Sequence, residues 1–155
     1  YSGTVAAARE GALMNIRSYA FSLVDMAATL PNHPKEPLRF EMAAQMAKRV
    51  LESTLNTSFP AHSLLNVNVP NLEASQVKGI KVARQGIRYY KDEVTKRVDP
   101  RGRDYYWIGG AYERFEEAPL SDCHIIEEGF VSVVPINIDC THNEFYTTLE
   151  RTLKK

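Results

Sequence analysis

Tyr1-Ser2-Gly3-Thr4-Val5-Ala6-Ala7-Ala8 opens the chain and reads as the first turn of a helix with no strand or loop before it. Hydroxyl residues and a glycine stand just ahead of an alanine-rich run. The unpaired N–H groups of a helix start and the positive end of its dipole therefore point outward together. Glycine lets a ligand oxygen approach the backbone, and the Ser2 and Thr4 hydroxyls can add hydrogen bonds to a phosphate or carboxylate. Ser2, Gly3 and Thr4 are thus the candidate phosphate-binding residues. The competing reading is an ordinary helix cap, for which Ser2 or Thr4 suffices by accepting from one orphan donor.

Outward from this octet, helical and strand periods alternate. The helix is expected to run from Val5 to Met14, its alanines allowing close packing on a sheet while Gly11 weakens the last turn. From Ser18 to Val24, Tyr19, Phe21 and Leu23 alternate with smaller residues, a strand period. Pro31, Pro34 and Pro37 break the next stretch into turns. Met42, Met46, Val50 and Leu51 then fall on one stripe of an amphipathic helix expected from Leu38 to about Thr54. Leu65, Val67 and Val69 alternate with Asn66 and Asn68 in a strand that Pro70 closes. The segments from Ile80 to Ala83 and from Tyr89 to Val98, with Gly86 between, read as paired strands of an extended hairpin. The Asp99-Pro100-Arg101-Gly102 turn leads on into Tyr105 to Ile108. Having no helical period, this middle region is expected to project from the body. Phe130 to Val134 reads as a buried strand. Thr141-His142-Asn143-Glu144 has the spacing of a capping box. Phe145, Leu149 and Leu153 then keep a four-residue step, widened by Tyr146, which demands a surface to bury against, and Lys154 and Lys155 complement the helix end.

The length of 155 residues and 44% hydrophobic content suit one ordinary domain. Nineteen basic and nineteen acidic residues cancel, so no global field holds a nucleic-acid polymer or an anionic membrane, and phosphate recognition must be local. No apolar run approaches a membrane span and no signal-peptide pattern stands at the start. Cys123 and Cys140 are expected to be free thiols of a cytoplasmic protein. Their neighbours His124 and His142 lack the spacing of a structural zinc site.

Three further clusters carry possible chemistry. Arg84, Arg88, Lys91 and Arg97 interleave with Tyr89 and Tyr90, which suits a stacked base and a phosphate, but a solvated hairpin face accounts for them as well and is preferred. Glu113, Glu116, Glu117 and Asp122 read as solvated loop carboxylates rather than converging metal ligands. Ser22 and Ser63 lack the G-x-S-x-G context of a catalytic serine.

Several motifs, in one order, resemble those of the SurE family, the stationary-phase survival proteins. Tyr1 to Ala8 followed by Arg9-Glu10-Gly11 is similar to YSGTVAAA-x-EG. Leu65-Asn66-Val67-Asn68-Val69-Pro70-Asn71-Leu72 is similar to LNVNVP-x-L, and Lys78-Gly79-Ile80-Lys81-Val82-Ala83-Arg84-Gln85-Gly86 to KGI-x-VTRQG. Asp99-Pro100-Arg101-Gly102 with Tyr106-Trp107-Ile108-Gly109 resembles DPRG…YWIG. Glu128-Gly129-Phe130-Val131-Ser132-Val133 with Pro135 resembles EGYVSITP. Ser121-Asp122-Cys123-His124 departs from the aromatic or alanine that family members carry there.

The resemblance implies an α/β fold. It is a Rossmann-like, three-layer αβα sandwich with a mostly parallel sheet, a projecting β-hairpin extension and a C-terminal helix. Within one domain, residues 1–75 and 125–137 would form the core, 78–112 the hairpin extension and 141–155 an oligomerisation helix. It also implies a metal-dependent phosphatase that hydrolyses nucleoside 5′- and 3′-monophosphates, with short polyphosphate as a further substrate. Homodimers or homotetramers would form through the hairpin and the C-terminal helix, because family members exchange C-terminal segments. In the family an Asp-Asp pair, a Ser/Asn-rich loop and an SGIN-x-G-x-N loop supply the metal ligands. None occurs here, so the ligands of a divalent Mg2+ or Mn2+ ion are expected upstream of Tyr1. The chain is then the C-terminal portion of a longer enzyme, with no catalytic or metal-binding residue of its own beyond the phosphate site. The rival expectation is a non-catalytic assembly module.

Overall fold

The computed structural model describes residues 2–25, 36–91, 93–109 and 112–154, so most of the expected proline-rich turns lie outside the described residues. In chain order the elements are α1 (Gly3–Leu13), β1 (Ser18–Val24), α2 (Phe40–Thr54), β2 (Ser63–Pro70), β3 (Ile80–Val82) and β4 (Arg88–Tyr90). They continue with β5 (Glu93–Val98), β6 (Asp104–Gly109), β7 (Tyr112–Phe115), α3 (Asp122–Glu127), β8 (Val131–Asn137) and α4 (Asn143–Leu153).

Strand periodicity sorts the core into three layers. Tyr19, Phe21 and Leu23 of β1, Leu65, Val67 and Val69 of β2, and Val131 and Val133 of β8 pack with Met42 and Val50 of α2 on one face. Ala20, Leu64 and Ile136, one residue out of phase, pack with Ala8 and Ala12 of α1 on the other, where Val134 meets Ile125 of α3. The same parity puts Ser22, Asn66, Asn68 and Ser132 on the α1 and α3 side. Ser22 pairs in register with Asn68, and Asn68 with Ser132. A polar row thus crosses the sheet where the two helices leave it partly uncovered.

The strand order is β1-β2-β8-β3, and the sheet is mostly parallel, as expected, with one antiparallel pairing. β1 runs parallel to β2 and β3 to β8, but β2 and β8 are antiparallel. The reason is the connection after β2. Residues 71–79 are fewer than the dozen or so that a parallel crossover takes, so β3 cannot return alongside β2 in the same sense. Pro135 sits inside β8 without cost. The backbones of Val131 and Val133 are bonded toward the β3 side, to Gly79 and Ala83. Pro135, two further on, has its missing N–H on that side but beyond the end of β3.

The extension is built differently from the expected hairpin. Ile80–Val82 belongs to the core sheet, and the ribbon consists of two antiparallel pairs, β4 with β7 and β5 with β6. The turn between β5 and β6 is held by Asp99, whose Oδ1 accepts from the N–H groups of Arg101 at 2.8 Å and Arg103 at 2.9 Å. The Arg103 backbone bond, foremost, holds this carboxyl below its ordinary range. Trp107 and Ile108 of β6 are exposed.

α4 also starts one residue later than the capping box predicts. Asp139 Oδ1 takes the Thr141 N–H at 2.9 Å, and the cap is His142, whose Nδ1 accepts from Phe145 N–H at 3.2 Å. No residue of α4 is buried. Among the described residues no helix is long and apolar enough to cross a membrane.

Candidate functional site

The start of α1 shapes a cleft. Ser2 Oγ accepts from Val5 N–H at 3.3 Å, and Ser2 C=O accepts from Ala6 N–H at 2.9 Å. The N–H groups of Gly3 and Thr4 are left without a partner among the described residues, as the geometry of a helix terminus dictates. Ser2 and Gly3 line a cavity of about 500 Å³ with Val5, Ala6, Arg9, Asn66, Gln85, Asp122 and Ile136. A second lobe of about 410 Å³ shares Ser2, Val5, Asn66 and Asp122 with it and adds Ser22, Asp25, Asn68 and Arg88. Nothing lies within 4 Å of where a Cβ on Gly3 would stand. The backbone is therefore open to a ligand at the positive end of the helix dipole.

Asp122 closes the cleft from the other side. Ser121 caps α3, its Oγ accepting from His124 N–H at 3.3 Å, which sets Asp122 at the first helical position. The carboxylate is then held on several sides. Its Oδ1 accepts from Gly86 N–H at 2.9 Å and from the Cys123 thiol at 3.5 Å, and its Oδ2 from Asn68 Nδ2 at 3.5 Å. Asn68 Nδ2 also reaches the Oγ of fully buried Ser132 at 3.5 Å. Arg88 Nε donates to Cys123 Sγ at 3.4 Å. Burial nonetheless pushes the Cys123 thiol up, so it stays neutral.

Of the residues singled out by sequence, Ser2 and Gly3 reach the cleft, and Ser2 also serves as the cap. Thr4 is exposed beside them, outside both lining sets. From the basic and aromatic cluster only Arg88 lines the cleft. Tyr89 faces the Arg114 guanidinium at 5.2 Å, Tyr90 meets the edge of Tyr112, and Lys91 and Arg97 are exposed on the ribbon. Arg84 is tied through its backbone to Leu120 and Asp122. Among the four acids, Asp122 alone enters the cleft, a correction to its reading as a loop carboxylate; Glu113, Glu116 and Glu117 are exposed. Ser22 lines the second lobe and Ser63 a separate cavity of about 250 Å³. Both cysteines are free, Cys123 buried and Cys140 exposed. No group of three or more His, Cys, Asp or Glu side chains comes together to hold a metal among the described residues.

Sequence reasoning passed over Asn66 and Asn68 and set Asp122 aside as a loop carboxylate. Two signals were available. Asn66 and Asn68 form the polar phase of a strand whose other phase is core. Ser121-Asp122 stands in cap position ahead of the apolar pair Ile125-Ile126.

A family model described as survival protein SurE matches residues 1–92. The whole chain is 37% identical to the 5′-nucleotidase SurE of Vibrio vulnificus, covering 56% of that protein. It is 40% identical over 153 residues to that of Herpetosiphon aurantiacus, covering 57% of it. The crystal structure of the SurE protein from Aquifex aeolicus superimposes with a TM-score of 0.72 at 37% identity, over all of this chain and 58% of that one. The chain therefore spans a little over half the length of these relatives.

Proposed function

The chain belongs to the survival protein SurE family, and from that premise we propose that it is the phosphate-holding part of a nucleotidase. Its substrates are nucleoside 5′- and 3′-monophosphates, with short polyphosphate as a further one, and its compartment is the cytoplasm, whose reducing conditions suit two free thiols. The observation that supports this most directly is the opening of α1 onto the cleft, with Gly3 unobstructed and the N–H groups of Gly3 and Thr4 unpaired. These donors sit at fixed positions before substrate arrives. They need no reorganisation as negative charge grows on the transferring phosphoryl oxygens, and such preorganised donors are the ones that stabilise a transition state most. Asn66 and Asn68 supply neutral polar groups on the cleft floor.

On this reading hydrolysis would use a divalent cation, proposed as Mg2+ or Mn2+. The residues of this chain do not fit one by themselves: Asp25 and Asp122 reach the cleft but belong to no metal-holding group among the described residues. Its ligands are accordingly assigned to residues upstream of Tyr1, and the role of this chain is confined to holding the phosphate. The test is an assay of the full-length protein and of the 155-residue chain side by side on nucleoside monophosphates, with Mg2+ or Mn2+ and with a chelator. Turnover is expected from the full-length protein alone and only with metal. Metal-dependent turnover by the 155-residue chain would show that the ligands lie within it, and absence of turnover from both would refute a nucleotidase.

The same proposal assigns α4 to assembly with further copies of the chain, as a homodimer or homotetramer. Phe145 and Tyr146 are more than half exposed and Leu153 is 81% exposed, an apolar stripe that demands cover. Deletion from Thr141 onward should lower the mass measured by light scattering. An unchanged mass would make the helix an accessory.

A further inference from the structure

The two lobes of the cleft are lined by two carboxylates, Asp25 and Asp122, and two guanidiniums, Arg9 and Arg88. Asp122 is engaged by the Gly86 N–H, the Asn68 amide and the Cys123 thiol. The arginines are differently placed. Arg88 Nε is directed at Cys123 Sγ at 3.4 Å, and Arg9 Nη2 at Cys140 Sγ at 4.0 Å. Neither has a carboxylate within 4.0 Å among the described residues, whereas Arg39 and Arg103 do. A thiol is a weak acceptor, and a guanidinium fork matched to a phosphate finds there a far stronger partner, because charge-assisted bonds of this kind are about twice as strong as neutral ones. Both arginines stay exposed at the rim. Each can therefore exchange a sulfur for an incoming oxyanion.

Resting on the phosphate reading of the cleft, we propose that Arg9 and Arg88 are its substrate-anchoring cations, one in each lobe flanking the α1 start. Arg9 lies one turn and then another along the face that Ser2, Val5 and Ala6 present to the first lobe. Arg88 lies at the root of the ribbon, beside Asn68 and Ser22 in the second. In a chain without net charge, these two side chains offset the carboxylates of Asp25 and Asp122 in the same lobes and leave the α1 dipole to draw a phosphate dianion to the helix end.

The experiment uses the full-length protein with Arg9→Gln, Arg88→Gln and the corresponding Lys variants. Inhibition by inorganic phosphate, KM and kcat for a nucleoside monophosphate, and Tm are measured for each. Each Gln variant should raise KM and the phosphate inhibition constant about 10- to 100-fold, the usual worth of a charge-assisted hydrogen bond, with a smaller change in kcat and an unchanged Tm. The Lys variants should recover part of the loss, since they restore charge without the planar fork, and they serve if a Gln variant fails to fold. An arginine whose Gln variant leaves phosphate inhibition unchanged, or whose KM shifts only in step with Tm, is no anchor. If the unaltered protein neither turns over a monophosphate nor binds phosphate, the phosphate reading fails and this proposal with it. Normal phosphate inhibition in both Gln variants of an active enzyme overturns the anchors alone.

Discussion

Gly3→Val, introduced into the full-length protein, is expected to remove most nucleotidase turnover while leaving Tm where it was. The usual objection to such a substitution is that it breaks the fold. At this position it does not, because a Cβ would meet no atom within 4 Å and the residue stands at the first position of α1, where few backbone bonds depend on it. What the valine does fill is the space in front of the Gly3 and Thr4 N–H groups, which a phosphoryl oxygen must enter. Removing one preorganised donor of this type costs on the order of 100- to 1,000-fold in kcat, and here two are obstructed together. Inhibition by inorganic phosphate should weaken in parallel, and Gly3→Ala should fall between the two. A Gly3→Val enzyme that is fully folded and turns over normally would reduce the Ser2-Gly3-Thr4 segment to a helix cap.

Gly86→Val should damage both stability and the cleft, through a different route. A Cβ at Gly86 would stand 2.9 Å from Asp122 Oδ1, 3.0 Å from Cys123 Sγ and 3.2 Å from Ser121 Cβ. Ser121 and Cys123 are buried and cannot swing aside, so α3 must retreat from the ribbon root. Overpacking of this kind costs about 1–3 kcal/mol, which lowers Tm by roughly 2–4 °C for each kcal/mol in a domain of this size. Asp122 also loses its bond from the Gly86 N–H as the two separate. KM should then rise by more than the loss of folded protein explains, whereas Asp122→Asn, which keeps an acceptor for that N–H, should retain Tm. Equal Tm for Gly86→Val and the unaltered protein would show that α3 is not held against the ribbon as described.

The parts of this molecule written in the sequence are those set by neighbours along the chain. The alternation of Tyr19, Phe21 and Leu23 delimits β1 at Ser18–Val24, and the stripe of Met42, Met46 and Val50 announces α2, because period and burial are local facts. Strand direction is not local. Nothing in Ile80, Lys81 and Val82 tells that they pair with Val131 to Val133 rather than with the ribbon; the length of the preceding connection does, once the neighbouring strands are known. The site divides along the same line. Ser2 and Gly3 were legible because a helix start is an anion site by its own geometry. Asp122 was not, because its place at the cleft depends on a hydrogen bond from Gly86 and on a strand register that sets Asn68 beside Ser132, contacts between residues far apart in sequence. The expected Thr141 cap failed for a comparable reason, since Asp139 competes for the Thr141 N–H.

The ribbon leaves and rejoins the core at a single doorway. Arg84 N–H donates to the Leu120 carbonyl at 2.8 Å, and Asp122 N–H donates to the Arg84 carbonyl at 2.8 Å, so the two stems of the excursion are stitched to each other before β4 and β7 pair beyond them. Beyond the root residues Gly86 and Arg88, which bond Asp122 and Cys123, the excursion is, in topological terms, an appendix whose length the core does not register. Doubling such a loop raises the entropy of closing it by only about 0.6 kcal/mol. Natural variation and protein engineering alike can therefore lengthen, trim or exchange the arm beyond this doorway, rewriting what the molecule grips at a distance. Asp122, which belongs to the doorway and also lines the cleft, has no such freedom.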